Sequence, residues 1–154
     1  MQPYELARIF DDAGWEGAKQ LVEIVAVSLA ESQGYTHAVN DNLDKNGEVL
    51  SRDCGVLQYN IPASAVGTQR ELELYDPVKN AAAGFVLYKQ RGLQPWVAYN
   101  RGIAMDQRWW TAEGKPTGRY LYRAMHGVRR YLTEKTGSPL RFDWYIPSLP
   151  VPIS

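Results

Sequence analysis

Glu31 is the residue of this sequence with the clearest chemical promise. It closes the run Leu21 to Ala30, in which nearly every side chain is apolar or small. A carboxyl held against an apolar wall loses hydration, which disfavours the charged form and raises its pKa. A helix C-terminus acts in the same direction, because its unpaired carbonyls repel an anion. A carboxyl that keeps its proton near neutral pH can serve as a general acid. The plainer reading is a solvated glutamate at a helix end, and residue types alone leave the two open.

The segment Asp53-Cys54-Gly55-Val56-Leu57-Gln58-Tyr59-Asn60 is the second place where chemistry could lie. Gln58 and Asn60 are two apart and would point the same way in an extended segment. Their amides could hold a polar ligand or merely satisfy a loop backbone. Gly55 suits either a close approach of backbone to a ligand or a sharp bend. Just upstream, Asn42-x-Asp44-x-Asn46-Gly47-Glu48 running to Asp53 imitates a calcium loop with glycine at its sixth position. Asn stands first where Asp is usual, Asp stands last where a bidentate Glu is usual, and no helix pattern follows, so calcium is not expected. His37 and His126 have no Cys or His neighbours at ligand spacing, so zinc is not expected either. No cofactor is implied, no nucleophilic triad is visible, and Cys54 reads as a small buried residue.

The elements that must hold these residues are mostly helical. Pro3 suits a first helical turn, and Leu6, Ile9, Phe10 and Ala13 share one face of a helix over 3–13 that Gly14 ends. Residues 16–31 form a helix apolar on most sides, with Gly34 as a stop signal. Between 36 and 60 turn formers take over, and Lys45-Asn46-Gly47-Glu48 reads as the tip of a hairpin whose returning strand starts at Val49. Pro62 to Gly67 is a loop or a short helix start. Asp76 and Pro77 start a helix over 77–91, with Gly92 ending it, and Pro95 starts a segment from Trp96 to Met105. A last helix over 117–135 places Leu121, Ala124, Met125, Val128 and Leu132 inside. The proline-rich tail from Ser138 is extended, and its Phe142, Trp144, Tyr145 and Ile146 pack back on the domain.

Composition bounds the rest. The chain has 154 residues, suited to one domain spanning 1–154. Lys+Arg and Asp+Glu both number 17, so there is no electrostatic case for nucleic acid. One cysteine rules out an intramolecular disulfide, and no stretch reaches the roughly 18 apolar residues needed to span a bilayer. Ten Tyr and five Trp could be core or stacking platforms.

Four ordered segments carry a family likeness. Glu31-Ser32-x-x-Tyr35 with Ala38 and Asn40, then Asp53-x-Gly55-x-Leu57-Gln58-x-Asn60, resembles the lysozyme-like superfamily. More narrowly it resembles lytic transglycosylases of the soluble-lytic-transglycosylase type. Leu74-x-Asp76-Pro77-x-x-Asn80 is similar to that family's helix start after the β-region, and Trp96-x-x-Tyr99-Asn100-x-Gly102 to its closing motif. The likeness covers residues 31–102. Tyr59 departs from it where an aliphatic residue is usual, and Arg101 replaces a smaller residue. Residues 105–154 match nothing and read as an added helix and tail, with Trp109, Trp110, Tyr120, Tyr122 and Tyr131 as packing or as a longer groove.

The resemblance implies a mainly α (α+β) lysozyme-like fold with a small β-hairpin element between 36 and 60. It implies cleavage of the β-1,4 bond between N-acetylmuramic acid and N-acetylglucosamine in peptidoglycan. Glu31 would be the acid. Asp53 matches the second carboxylate of animal-type lysozymes, where it would stabilise an oxocarbenium-like transition state; a turn residue paired to Arg52 or Arg101 is the alternative. Ser32, Gln58, Asn60 and Tyr99 are the expected substrate-contact residues. Ser32 could orient Glu31, and the Tyr99 hydroxyl could bond its carboxyl. The expected activity is a lytic transglycosylase forming 1,6-anhydro ends. The alternatives are a hydrolysing muramidase using Glu31 and Asp53, and an inactive glycan-binding module. The expected partner is the glycan strand, bound by a monomer without membrane insertion. Without a visible signal peptide or disulfide, we expect a phage protein folded in the cytoplasm. It would act in the periplasm or on the wall after release, or as part of a virion.

Overall fold

A computed structural model describes residues 1–106 and 119–138 of the chain. The expectations for Trp109, Trp110 and the tail beyond Ser138 lie outside the described residues. The order is α1 (Pro3–Ala13), α2 (Gly17–Ser32), β1 (Val39–Leu43), β2 (Val49–Cys54), β3 (Tyr59–Pro62), a 3-10 turn (Ala63–Ala65), α3 (Gln69–Glu73), α4 (Pro77–Arg91), α5 (Val97–Asn100) and α6 (Arg119–Thr136). The fold is mainly α with a small antiparallel sheet, as the lysozyme-like reading implies.

The apolar run that marked α2 has the expected consequence. Leu21, Val22, Ile24 through Val27, and Leu29 are fully buried, with α1, α5 and α6 packed around them. Each Leu, Val or Ile among them contributes about 1.5–3 kcal/mol on burial. α1 turns Leu6, Ile9 and Phe10 inward. Trp15, fully buried just after it, packs against Phe10, Phe85 and Tyr88 at ring-centre distances of 5.2, 5.0 and 5.4 Å. The five inward residues expected of the last helix are all buried. Tyr122 and Tyr131 join them, which makes these two rings packing rather than groove.

The β-region is larger than a hairpin. β3 adds to β2, so the sheet has three strands in the order β1-β2-β3. The hairpin tip lies where the sequence put it. Asp44 turns its carboxylate back to accept from the Asn46 and Glu48 amides, and Gly47 takes φ +80°. A register shift between Asn42 and Leu43 follows. Beyond it, Asn40 and Asn60 flank Asp53 from either side.

Two devices tie the sheet to the helices. Gly55 bends the chain at φ +75°, and a Cβ there would lie 2.3 Å from the Leu74 carbonyl oxygen and 2.4 Å from Asn80 Nδ2. Gly55 thus serves the bend and the close approach of Asn80. Buried Asn80 donates to the Cys54 and Leu74 carbonyls and accepts from the Leu57 amide, fastening the 54–57 loop to α4. From α2, the Ser28 and Ser32 hydroxyls both donate to the Val56 carbonyl, each at 2.8 Å.

Candidate active site

α2 delivers Glu31 to a groove between the sheet and the segment that follows α4. The groove has two adjoining chambers of about 360 and 410 Å³, and Glu31, Asp53 and Gln58 line both. The first chamber runs along β3 and α4 past Tyr59, Asn60, Leu87, Arg91 and Gln94 to Val97. The second runs past Ser32, Tyr35, Ala38, Val39 and Asn40. The two carboxylates stand where the chambers meet.

Glu31 is half-buried against the apolar end of α2. Loss of hydration pushes its pKa above the ordinary carboxylate range, and the nearby negative charge of Asp53 adds to the rise. A single hydrogen bond opposes both: the Ala98 amide donates to Oε1 at 3.0 Å. Ala98 lies in the first turn of α5, where helix N–H groups have no partner within the helix. With Oε1 taken by that donor, Oε2 is left to carry a proton.

Asp53 is held differently. It is the next-to-last residue of β2, its Oδ2 accepting from Asn42 Nδ2 at 3.0 Å and its Oδ1 from Asn60 Nδ2 at 2.8 Å. The Ser51 hydroxyl accepts from the same two amides at 3.1 and 2.9 Å. Both oxygens of Asp53 therefore receive side-chain donors. The pairing with Arg52 considered from sequence does not occur. Strand alternation turns Arg52 to the opposite face of the sheet, where it binds Asp41 and Glu71. Arg101 is exposed and lines neither chamber.

The expected contact residues divide. Asn60 is exposed in the first chamber while it holds Asp53. Gln58 lines both chambers, but not in an extended segment: its φ is +50°, and Nε2 donates to the Ala38 and Gly55 carbonyls at 3.0 and 3.1 Å. Its amide nitrogen thus locks the loop that carries Asp53's strand. Ser32 is buried, its hydroxyl turned to the Ser28 and Val56 carbonyls rather than to Glu31. Tyr99 lines neither chamber. It packs at the core's edge, near enough to Tyr88 to help raise that phenol's pKa behind burial and Glu23. Trp96 is buried in the core at the edge of the first chamber, with Nε1 donating to the Leu57 carbonyl at 2.9 Å.

Sequence reasoning missed the Ala98 amide, which has no side-chain signature. It also missed Asn42 and Ser51, whose face follows only from the true register, and Arg91, which it placed only as the last residue of a helix. Among the described residues no cluster of three or more His, Cys, Asp or Glu could hold a metal ion, and no helix is long and apolar enough to cross a membrane.

A family model described as a lysozyme-like domain matches residues 7–98, more than half of the chain. The match takes in Glu31, Asp53 and the groove, and ends on Ala98. No curated protein matches the chain.

Proposed function

The chain belongs to the lysozyme-like domain family, and from that premise we propose that it cleaves the β-1,4 bond between N-acetylmuramic acid and N-acetylglucosamine with Glu31 as acid and then base. The observation that carries this is the desolvated Glu31 carboxyl, its pKa raised, at the junction of a two-chambered groove. Glu31 passes its proton to the glycosidic oxygen as the C1–O bond breaks. Positive charge grows on the sugar ring, and Asp53, held by Asn42 and Asn60, is the anion that offsets it. The Ala98 amide then bonds the carboxylate that Glu31 has become.

Two routes complete the reaction. In the first, which the segment pattern favours, the 6-hydroxyl of the cleaved sugar attacks C1 and gives its proton to Glu31, leaving a 1,6-anhydro end. In the second, water attacks and leaves a reducing end. The second keeps its place because the matching second carboxylate, Asp53, is fixed through both oxygens beside the acid, although that does not by itself choose between the routes. Asp53 stabilises the charged transition state in either route. Mass spectrometry of the fragments released from purified peptidoglycan separates them: anhydro ends mean a lytic transglycosylase, reducing ends a muramidase. Binding without any released fragment would mean a glycan-binding module and end this proposal.

A further inference from the structure

The two chambers differ in charge. Beyond the shared Glu31 and Asp53, the second chamber is lined by no ionisable side chain except the Tyr35 phenol. The first contains a cation, Arg91, in the last turn of α4.

Arg91 is exposed, and among the described residues it makes no hydrogen bond or ion pair. Other arginines are engaged. Arg52 holds Asp41 and Glu71, Arg70 lies over the Tyr59 ring, and Arg130 pairs with Glu134. A basic residue in the last turn of a helix offsets the helix dipole, but Lys89 does that for α4 without entering the groove. Dipole compensation therefore explains a cation on this turn and not its place in the chamber wall. The Asp53 carboxylate at the centre of the groove disfavours an anionic ligand. A guanidinium in its wall reverses that locally, and its planar fork matches a carboxylate through two parallel hydrogen bonds.

We propose that Arg91 is a specificity-determining residue that pairs with a carboxylate of the glycan, so that the carboxylate-bearing sugar occupies the α4-side chamber. This rests on the reading of the groove as a peptidoglycan site. Two carboxylates share this chemistry, the lactyl group of N-acetylmuramic acid once its peptide is removed, and the acidic groups of the stem peptide. The neutral sugar is left to the chamber lined by Tyr35 and Val39, which expose apolar surface.

The test is binding, measured in a Glu31→Gln background so that cleavage does not deplete the ligand. Soluble peptidoglycan fragments should bind Glu31→Gln/Arg91→Gln about five- to tenfold more weakly than Glu31→Gln. Arg91→Lys should recover part of the loss, since it keeps the charge and loses the fork. On fragments whose carboxylates have been amidated, the single and double variants should bind alike. On glycan strands stripped of peptide, a persisting difference assigns the lactyl carboxylate, and a vanished one assigns the stem peptide. Equal affinities for intact fragments with and without Arg91, or no binding by Glu31→Gln at all, would overturn the proposal. If the unmodified protein releases no fragments while binding still depends on Arg91, the catalytic reading fails and this one stands.

Discussion

The two faces of the three-stranded sheet place carboxylates in opposite surroundings. On the face away from the groove, Arg52 joins Asp41 and Glu71. Glu71 is buried, yet it also accepts from the Tyr75 hydroxyl at 2.6 Å and the Gly67 amide at 2.9 Å. Those donors and the guanidinium hold its pKa below the ordinary carboxylate range. On the groove side, Glu31 meets one backbone amide, an apolar wall and another anion, and its pKa rises. Burial alone therefore does not set the chemistry of a glutamate here. Donors on the buried Glu71 carboxylate suit it to a structural part, and their scarcity at Glu31 suits that residue to the proposed part of an acid.

Exchanging either residue for glutamine probes that difference most sharply. Glu31→Gln should lower the rate of fragment release by about 10²–10⁴-fold, the range of a general acid. Its melting temperature should hold or rise, because the one bond from the Ala98 amide does not offset the desolvation of the carboxylate. Glu71→Gln should do the reverse. Neutralising the buried end of a half-exposed ion pair should lower the melting temperature by about 2–8 °C, while activity below the melting range stays near that of the parent. A Glu31→Gln protein that turns over normally would remove the acid from the mechanism.

The two glutamates also leave opposite marks on pH dependence. Glu31 binds its proton more tightly folded than unfolded, so its contribution to stability falls as pH rises from the ordinary carboxylate range through its raised pKa. Activity should fall over the same rise, as the acid loses its proton. Glu71 and Asp41 bind theirs less tightly folded, so their contribution is present above the ordinary range and is lost on acidification through their lowered pKa values. Thermal melts from acid to neutral pH should therefore show a shallower acid limb for Glu71→Gln. Glu31→Gln should remove a decline on the neutral side of the ordinary range. Identical profiles for the two variants would erase the distinction between the faces.

Much of this arrangement was legible from single elements. The apolar run before Glu31, the Asp76-Pro77 start of α4 and the Asn46-Gly47 turn each express a local preference that the fold obeys. Features that depend on partners distant in sequence were not legible. α3 is five residues with no apolar stripe, and its Glu71 turns inward only because Arg52 and Tyr75 are there to meet it. β3 is four residues whose partner strand the sequence does not name. The face of the sheet was hidden by one residue. Extending the hairpin from Leu43 opposite Val49 without a shift would set Asn42 against Leu50, whereas the irregularity sets it against Ser51. A one-residue slip exchanges the faces of a strand, so only the true register aligns Asn42, Ser51, Asp53 and Asn60.

That alignment gives the smaller predictions. Asp53→Asn puts an amide where two donors converge, so one of them must lose its acceptor as the negative charge disappears. The rate should fall at least about tenfold if the charge acts in the transition state. Asn42→Ala is gentler. It removes the donor on Oδ2 and leaves Asn60 on Oδ1, so the carboxylate keeps its charge and half its support. A hydrogen bond to a charged group, partly replaced by water at this half-open position, leaves an effect of about 1 kcal/mol, close to a fivefold loss of rate. The loss should appear in kcat rather than KM, because Asn42 lines neither chamber and acts only through Asp53. An Asn42→Ala protein that melts lower yet turns over unchanged would make the groove face of the sheet as purely structural as the face behind it. The asymmetry would then rest on Glu31 alone.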